Sequence, residues 1–417
     1  MATALITPDI IVKEAMLQMQ NHLVMGNNVH RNFEDDFAKN GESVRVRRPN
    51  RYDVTDGATL GTGDTEEANF TFTAVTQKHV PIIFTSKDLT TTIEEFSARY
   101  IRPAMIALAN KIDADGLDEY KNVYSSVSAD GSFTVPNSFA DLAVASKRLD
   151  NMAVPPSNMG AGPIDRVWVG NPGAFWDMAS AQTALFQQGM VKSAFTRGKL
   201  GNIAGFAFGM DQNTKVHTNG VLTGTPLVNG ASQNVTYLSS KNTWTQTLLT
   251  DGWTNSLSPI TVAGDVFTIA GVNHVNPVSK QDSGFLQDFV VTADANSGAS
   301  TGPATLTISP PIITSGPYQT VSAVPADNAA ITERGATVTD YVQNMAFHKD
   351  AFSLAMRPLE IPDGVSFSAR VNHEGFSIRL IKDYDISSDQ QKCRLDVLYG
   401  WKTIYPELAA RYWAVNT

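Results

Sequence analysis

The chain has 417 residues, of which 42% are hydrophobic, 18% charged and 9% aromatic, a composition that excludes the disordered and collagen-like classes. At roughly 100–200 residues per domain, this length predicts two to three domains. The formal net charge of −9 disfavours specific binding of DNA or RNA as the main activity, because an acidic surface repels phosphates. The single cysteine, Cys393, excludes an intrachain disulfide and suits a reducing compartment.

The N-terminal residues predict an amphipathic helix rather than a targeting segment. They lack a basic stretch followed by an apolar core, and no apolar run in the chain approaches the ~18 residues of a membrane helix. Pro8 suits a helix start, and apolar residues follow near helical spacing at Ile10, Ile11, Ala15, Met16, Met19 and Leu23. Two interpretations remain open: the helix packs in the core of its own chain, or it is an arm that docks on a neighbouring chain.

The stretch GESVRVRRPNRY, residues 41–52, predicts a strand with one solvent-exposed side. Val44 and Val46 face one way, and Arg45 and Arg47 face the other. An acidic, Gly-rich segment follows, with glycines at 57, 61 and 63.

A second alternating stretch covers residues 68–84, with Phe70, Phe72 and Ala74 on one face. Two strands around a Gly-rich tip predict a long hairpin. Because an isolated hairpin is only marginally stable, we expect this one to rest on other parts of a folded protein.

Residues 86–124 predict one long helix. Ser86 can cap its start, Asp88 suits the positive end of the helix dipole, and apolar residues recur along one side. Pro103 is expected to kink it. A helix of this length spans about 50 Å, which indicates a strut longer than one small domain.

Mixed elements follow, and then the composition changes. Residues 137–153 predict a helix, 165–181 a strand, turn and helix, and 201–218 a turn and strand. From 219 to about 335 the chain is rich in Thr, Ser, Asn and Gly, with short alternating runs typical of an all-β module. Mixed patterning then resumes, so the all-β part is interpreted as an insertion into another domain.

No catalytic or metal-binding motif is present. The sequence lacks G-x-S-x-G, the phosphate-binding P-loop and H-E-x-x-H, and GAGPID at 160–165 has no third glycine for a dinucleotide loop. No two histidines have the spacing that places two metal ligands on one helix face; they lie at 22, 30, 79, 217, 274, 348 and 373. Cys393 lies in an alternating run, which favours a buried, inert thiol.

Four arginines, at 45, 47, 48 and 51, form the strongest local concentration of charge. Three interpretations are open: a solvated strand face, ion pairing with an acidic patch on a neighbouring subunit, or phosphate binding. Phosphate binding is the least favoured, because the chain is acidic and no aromatic residue interleaves with the arginines.

The densest string of the sequence is NMAFHKDAFSLAMRPLEIP, residues 344–362. Large apolar residues surround His348, and no carboxylate partner at acid–base spacing is evident, so the string predicts packing rather than catalysis. A hydrolase that uses His348 or His373 is a poor alternative. His373 is followed by Glu374, but neighbours in a strand point to opposite faces.

This string resembles one that precedes the last strands in major capsid proteins of tailed phages. Four other segments resemble the same family in the same order: the strand GESVRVRRP, the helix 86–124, NIAGFAFGMDQNTKV and the terminal strands from His373. Residues 262–295 resemble part of the β-barrel that is inserted in the coat proteins of short-tailed enteric phages.

The resemblance implies an α+β capsid fold with an inserted all-β barrel. The implied parts are an N-terminal arm (1–42), an extended-loop hairpin (43–84), a peripheral domain with the spine helix (85–200), an axial domain in two pieces (201–220 and 338–417) and the inserted barrel (221–337). We call residues 221–337 the β module.

The implied function is that of a non-enzymatic major capsid protein, assembled in the host cytoplasm, that forms the icosahedral shell around the packaged phage genome. The implied partners are identical subunits in hexameric and pentameric capsomers, scaffolding and portal proteins, and DNA held without sequence specificity; no cofactor and no membrane are implied. The candidate contacts between subunits are Arg45, Arg47, Arg48, Arg51 and Asp251.

Two departures from the family and one alternative complete the predictions. No lysine lies between Lys39 and Lys78, which puts in doubt the lysine crosslink that some relatives form in the extended loop. Where some relatives carry a long charged hairpin, residues 248–257 predict only a short turn around Asp251 and Gly252. The alternative function is a virion adhesin or carbohydrate-binding β-module protein, for which Trp244 and Trp253 are the candidate aromatic platforms.

Overall fold

The computed structural model describes residues 8–31, 33, 43–52, 54, 57–58, 66–85, 100–128, 133–155, 165–182, 200–365, 367–373, 375–388 and 390–415. The helices in this part of the chain are α1 (Pro8–His22), α2 (Arg102–Leu117), α3 (Phe139–Asn151), α4 (Pro172–Gln182) and the short α5 (Tyr237–Ser240).

Strands outnumber helices, and the class is α+β as predicted. The first eight strands are β1 (Ser43–Arg47), β2 (Asn69–Thr73), β3 (Thr76–Thr85), β4 (Ser126–Val127), β5 (Arg166–Gly170), β6 (Asn202–Ile203), β7 (Phe206–Met210) and β8 (Val216–Thr218). The β module contains β9 (Gly224–Val228), β10 (Gln246–Trp253), β11 (Val266–Val275), β12 (Asp282–Val291), β13 (Ala304–Ser309) and β14 (Ile331–Glu333). The last six are β15 (Asp340–His348), β16 (Phe352–Met356), β17 (Phe367–His373), β18 (Phe376–Asp385), β19 (Gln390–Thr403) and β20 (Ala409–Val415).

The chain divides into two compact units, which are described separately. Unit 1 comprises Met1–Arg45, Thr71–Leu117 and Phe352–Lys402, and unit 2 comprises Val46–Phe70, Asp118–Ala351 and Thr403–Thr417. This division assigns β15 and β20 to one unit and β17–β19 to the other, whereas the predicted axial piece 338–417 contains all of them.

Unit 1 is built on a sheet with strand order β16-β19-β18-β17, in which β3 also pairs with β19. Apolar and polar side chains alternate along these strands because one face of the sheet is buried. Leu380 and Leu395, for example, are register partners and both are buried. Helix α1 packs against α2 and against β17 and β18. Its buried side chains Ala15, Met16 and Met19 therefore belong to the core of their own chain, which is the first of the two interpretations left open.

Asp113, a buried carboxylate on α2, holds the chain that leaves α1. The backbone N–H groups of Val24 and Gly26 donate to its two oxygens, at 2.5 and 2.9 Å. Since backbone N–H groups are costly to bury without an acceptor, this carboxylate fixes the path of residues 24–26.

Unit 2 contains a sheet with strand order β4-β20-β15-β5-β7-β6, and β8 pairs with β15. Trp168, Phe206, Tyr412 and Trp413 are fully buried in the hydrophobic cluster that covers it. Helix α3 lies within the helix predicted over 137–153 and packs on β20. It begins at a capping box that Ser138 and Asp141 form.

The β module is one closed antiparallel sheet with strand order β14-β11-β12-β13-β10-β9. The backbone N–H of Val228 donates to the carbonyl of Ala329 at 3.0 Å, and that of Asn328 donates to Val228 at 2.9 Å, so β9 meets the segment that enters β14. The interior is a continuous apolar cluster that includes Leu248, Phe267 and Phe289. The alternating runs of this segment are therefore the strands of a barrel with a core of its own.

Three predicted elements differ in the structure. The helix predicted over 86–124 ends at Leu117 and gives way to a 3-10 helix, Asp118–Asn122; its first part, 86–99, lies outside the described residues. The alternating stretch 68–84 is two strands, β2 paired with β1 and β3 paired with β19. The turn predicted around Asp251 and Gly252 is wrong, because both residues lie within β10.

Candidate functional site

Of the four arginines of the extended loop, two have exposed side chains, and two pack against aromatic rings and form polar contacts within unit 2. Arg45 and Arg47 lie on the exposed face of β1, and Arg47, with its side chain 76% exposed, pairs with Glu67 at 3.2 Å. An exposed pair of this kind contributes at most about 1 kcal/mol to stability. These two arginines are therefore available to another surface.

Arg48 is engaged within unit 2. Its guanidinium lies 5.4 Å from the centroid of the Phe70 ring and 5.3 Å from that of Tyr405, and it donates to the carbonyl of Ile404. Cation–π contacts on two rings fix a planar guanidinium more firmly than a single surface ion pair does. Arg48 thus anchors the base of the hairpin to the chain just before β20.

Arg51 makes the second anchor. Its guanidinium pairs with the buried Glu407 at 2.9 Å and lies 5.7 Å from the Tyr318 ring centroid. Its backbone N–H also donates to the Tyr318 hydroxyl at 3.0 Å. Tyr318 belongs to the β module, so the hairpin base is bound to the module as well. Contacts between copies of the chain stay a prediction for all four arginines.

Asp251 lies in β10 as the register partner of Leu227 on β9, with a β-bulge directly after it. Gly252 takes a φ of +76°, a conformation that glycine adopts without strain. The Asp-Gly pair therefore bends a strand and does not connect two of them. A contact between subunits through Asp251 stays a prediction.

Asp288, on β12, is the first of two buried carboxylates that join the β module to the rest of unit 2. It pairs with Arg148 of α3 and with Arg334 at 3.1 Å, and it accepts from the backbone N–H of Ser126 at 3.1 Å. Arg148 also lies 4.0 Å from the Phe285 ring centroid. Breaking a buried charge pair of this kind is strongly destabilising, because it leaves one charge uncompensated.

Asp265, just before β11, is the second buried carboxylate that joins the β module to the rest of unit 2. It accepts from His217 Nε2 at 2.9 Å and from the backbone N–H groups of Gly220 and Val262. Tyr120 lies 3.1 Å from the other ring nitrogen, Nδ1. Burial raises the pKa of Tyr120 to about 12, so this hydroxyl keeps its proton. Because an ionised carboxylate only accepts, His217 Nε2 is the donor in the hydrogen bond to Asp265.

Arg411 lies against this network and is fully buried. It donates to the carbonyl of Gly264 at 3.0 Å and lies over the rings of Tyr120 and Trp413, at 5.5 and 5.2 Å. Burial lowers its pKa to about 10, which still leaves it charged at neutral pH. Its charge balances the buried carboxylates near it.

The sequence pattern did not indicate a carboxylate beside His348, but the structure places Asp350 Oδ2 3.5 Å from its Nδ1. The backbone N–H of Asp350 donates to the same nitrogen at 3.3 Å, and burial lowers the pKa of this histidine. Burial likewise raises the pKa of the Cys393 thiol to about 11, which keeps it protonated. Both observations agree with the packing roles that the sequence predicts.

The aromatic platforms proposed for carbohydrate binding are not available on the surface. Trp244 is 8% exposed and Trp253 is 3% exposed. Trp253 Nε1 donates to the Thr250 hydroxyl inside the module. A sugar ring stacks on an exposed aromatic face, and neither indole presents one.

Within the described ranges, no group of three or more His, Cys, Asp and Glu side chains is placed to hold a metal ion. Among the described helices, none has the length and apolar character needed to cross a bilayer. Among the described residues, the buried charged side chains form ion pairs and hydrogen bonds that join segments of unit 2.

A family model described as P22 coat protein, gene protein 5, matches residues 1–411. The chain belongs to the P22 coat protein family. The major capsid protein of Acyrthosiphon pisum secondary endosymbiont phage 1 is 27% identical over 245 residues, which are 56% of this chain and 57% of that protein. This coat-family chain thus spans a little over half the length of the curated relative that it matches.

Solved structures similar to this coat-family chain include one from Mycobacterium phage Che8, with 14% identity, a TM-score of 0.48, and coverage of 94% of this chain and 90% of that one. The CUS-3 coat protein I-domain is 31% identical, with a TM-score of 0.19, and covers 27% of this chain and 96% of that domain. Membership of the P22 coat protein family confirms the resemblance to tailed-phage capsid proteins that the sequence motifs indicated.

The sequence motifs missed the two carboxylates that interlock the β module. Asp288 stands in the apolar run FLQDFVV, and a charged residue in such a run is a signal, because buried charges need partners. Asp265 follows a glycine at the start of a strand, and nothing in that pattern sets it apart from an ordinary turn residue.

Proposed function

We propose that this chain is a major capsid protein that assembles with copies of itself into the icosahedral shell of a phage virion. The observation that carries the proposal is the match of the P22 coat protein family model to residues 1–411. Assembly of this kind needs surfaces that meet with closing rotations and no active site. Many modest contacts acting together then produce a shell that hardly dissociates.

The extended loop is proposed to reach a neighbouring subunit, and the anchored base supports this role. Arg48 and Arg51 are held by rings and by Glu407 within unit 2, whereas Arg45 and Arg47 face solvent. A base that is anchored in its own subunit, with Arg45 and Arg47 exposed on β1 beside it, could contact a neighbouring subunit without leaving its own. Arg45 and Arg47 are the arginines proposed to meet the neighbour.

The β module is proposed to act as a brace inside the subunit. Its carboxylates Asp265 and Asp288 bind partners outside the module, and its Val266 and Val290 belong to the same apolar cluster as Trp413. The proposed domain boundaries are those given by the resemblance, with the module at 221–337. Deletion of 225–335 is expected to yield insoluble or misassembled protein, and correctly sized, stable shells from that deletion contradict the brace.

Scaffolding and portal proteins are the proposed co-assembly partners, and packaged DNA is the proposed content of the shell. The net charge of −9 suits a wall to which DNA does not adhere. Host cytoplasm is the proposed place of assembly, and no catalytic step is part of the function.

Size-exclusion chromatography with negative-stain microscopy of the purified full chain tests the function. Capsomers or closed shells are expected, alone or with the co-expressed scaffolding protein of its phage. A compact monomer that persists at high concentration in the presence of that scaffolding protein contradicts it.

A further inference from the structure

The β module holds the outgoing side of the extended loop through Tyr318. The backbone N–H of Arg51 donates to the Tyr318 hydroxyl at 3.0 Å, and the Arg51 guanidinium lies 5.7 Å from the centroid of the same ring. The ring of Tyr237 stacks on that of Tyr318, with centroids 3.5 Å apart and planes 2° from parallel. Because its ring is stacked in this way, Tyr318 presents its hydroxyl to the loop in a fixed position.

The module also holds the returning side of the loop. Lys241, directly after α5, pairs with Glu66, and the Asn242 side-chain oxygen accepts from the backbone N–H of Asn69 at 3.1 Å. Asn69 begins β2, the strand that pairs with β1, so this contact lies at the foot of the hairpin. We call Tyr318, Lys241 and Asn242 the clasp. Tyr237 belongs to α5, so its stacking on Tyr318 joins the two halves of the clasp into one surface.

The contacts of the clasp are polar and partly exposed, which suits guidance of the loop better than stability of the fold. The side chains of Lys241 and Glu66 are 20% and 36% exposed. An ion pair with this exposure contributes little to the free energy of unfolding. A two-stranded hairpin is only marginally stable by itself, so contacts on both of its sides restrict the direction that it takes.

An exposed apolar stretch follows the clasp on the outgoing side. Tyr52 and Val54 come directly after Arg51 and are 72% and 95% exposed. Since each residue advances the chain by at most about 3.6 Å, Val54 lies within about 11 Å of Arg51. The position of Arg51 therefore decides where these side chains leave the β module.

We propose that the clasp aims the extended loop: by holding both sides of its base, the β module fixes the direction in which the loop reaches a neighbouring copy of the chain. The inference rests on the proposed function, because it requires copies to assemble. A loop that is already directed loses less conformational entropy when it binds its neighbour. Correct assembly is therefore expected to depend on the clasp, whereas folding of the subunit is not.

A charge swap across the clasp tests this. K241E and E66K each place like charges together, and the double variant K241E/E66K restores an opposite pair with the composition of the wild type. In each single variant the backbone N–H of Asn69 is expected to exchange with deuterium about tenfold faster, measured by mass spectrometry of its peptides. Glu67 pairs with Arg47 and not with the module, so E67K is the matched control and leaves this exchange rate unchanged.

The same variants are then assembled under conditions in which the wild type forms uniform shells. The single variants are expected to give particles of aberrant size or open sheets, and the double variant is expected to restore both slow exchange and uniform shells. The midpoint of urea unfolding is expected to stay at the wild-type value throughout. If K241E lowers that midpoint, N242A replaces it, because this variant removes only the acceptor of the Asn69 N–H.

Three results overturn the aiming role and leave the proposed function standing. They are uniform shells from variants with fast exchange, exchange in the variants as slow as in the wild type, and a double variant that restores neither property. If the wild type forms no assemblies, the proposed function fails, and the aiming role fails with it.

Discussion

His217 Nε2 donates to the Asp265 carboxylate across 2.9 Å, and each side chain is only 3% exposed. His217 lies on β8, outside the β module, and Asp265 lies inside it. This hydrogen bond therefore spans the join between the module and the surrounding part of unit 2. The hydroxyl of Tyr120 completes the network, so every ring nitrogen of His217 has a partner.

Replacing Asp265 by Asn is expected to destabilise unit 2. The amide keeps one acceptor oxygen but turns an N–H group toward donors that the carboxylate now satisfies, and a buried donor without an acceptor costs about 1–3 kcal/mol. The free energy of unfolding, measured by urea denaturation followed by tryptophan fluorescence, is expected to fall by that amount. D363N, at an exposed aspartate, is the control and is expected to stay within about 0.5 kcal/mol of wild type.

Replacing Glu333 by Gln is expected to stabilise the protein at neutral pH. Burial raises the pKa of Glu333, and its Oε1 is buried without a hydrogen-bond partner among the described residues. A carboxyl whose folded pKa is raised stabilises the fold below its unfolded pKa, and this contribution is lost as pH rises through the folded pKa.

The difference in melting temperature between E333Q and wild type is therefore expected to be small in acid and to grow toward pH 8. Thermal denaturation over a series of buffers from pH 4 to pH 8 measures it. Two parallel curves, with a constant difference at every pH, contradict the prediction.

Replacing Gly252 by Ala is expected to disrupt β10. A Cβ at this position would overlap the carbonyl oxygen of Thr225, and the φ of +76° is unfavourable for alanine. The expected loss is at least about 3 kcal/mol of unfolding free energy. Gly230 is the matched control: its φ is +95°, but a Cβ added there would meet no atom within 4 Å, so G230A is expected to cost about 1–2 kcal/mol. If G252A and G230A lose the same unfolding free energy, the close approach of Thr225 to Gly252 at the β-bulge is contradicted.

Replacing Asp113 by Asn is expected to loosen the chain after α1, because the backbone N–H of Val24 or Gly26 loses its charged acceptor. Limited proteolysis with trypsin at the exposed Lys13 measures this, and an increase in cleavage rate of about tenfold is expected. D118N removes only an exposed ion pair with Lys121 and is expected to leave the rate unchanged. Protection of Lys13 in D113N equal to that in wild type contradicts the assignment.

Local patterns predicted the elements whose residues alternate between core and solvent. Val44 and Val46 in β1, and Phe70 and Phe72 in β2, are buried as the alternation indicates, because the two faces of a strand differ in exposure along its whole length. Helix α3 was predicted for a similar reason, since the residues 137–153 that contain it carry a local helical pattern.

The elements that sequence patterns predicted wrongly depend on distant partners. Asp-Gly occurs both in hairpin turns and in β-bulges, and only the pairing of Asp251 with Leu227 distinguishes them. The apolar run around Asp288 signals a buried charge, but the sequence does not show its partners, because Arg148 is 140 positions away in the chain and Arg334 is 46. Which charged residue turns inward is decided by the packing of whole units.

Thr218 and Asp340 are register partners on β8 and β15, and the backbone N–H of Asn219 donates to the carbonyl of Thr339 at 3.2 Å. The chain therefore enters and leaves the β module at adjacent positions on β8 and β15. A foreign domain with closely spaced ends could be grafted there without rerouting the backbone on either side. Such a graft would have to supply its own substitutes for Val266 and Val290, since otherwise the buried surface around Trp413 would meet water.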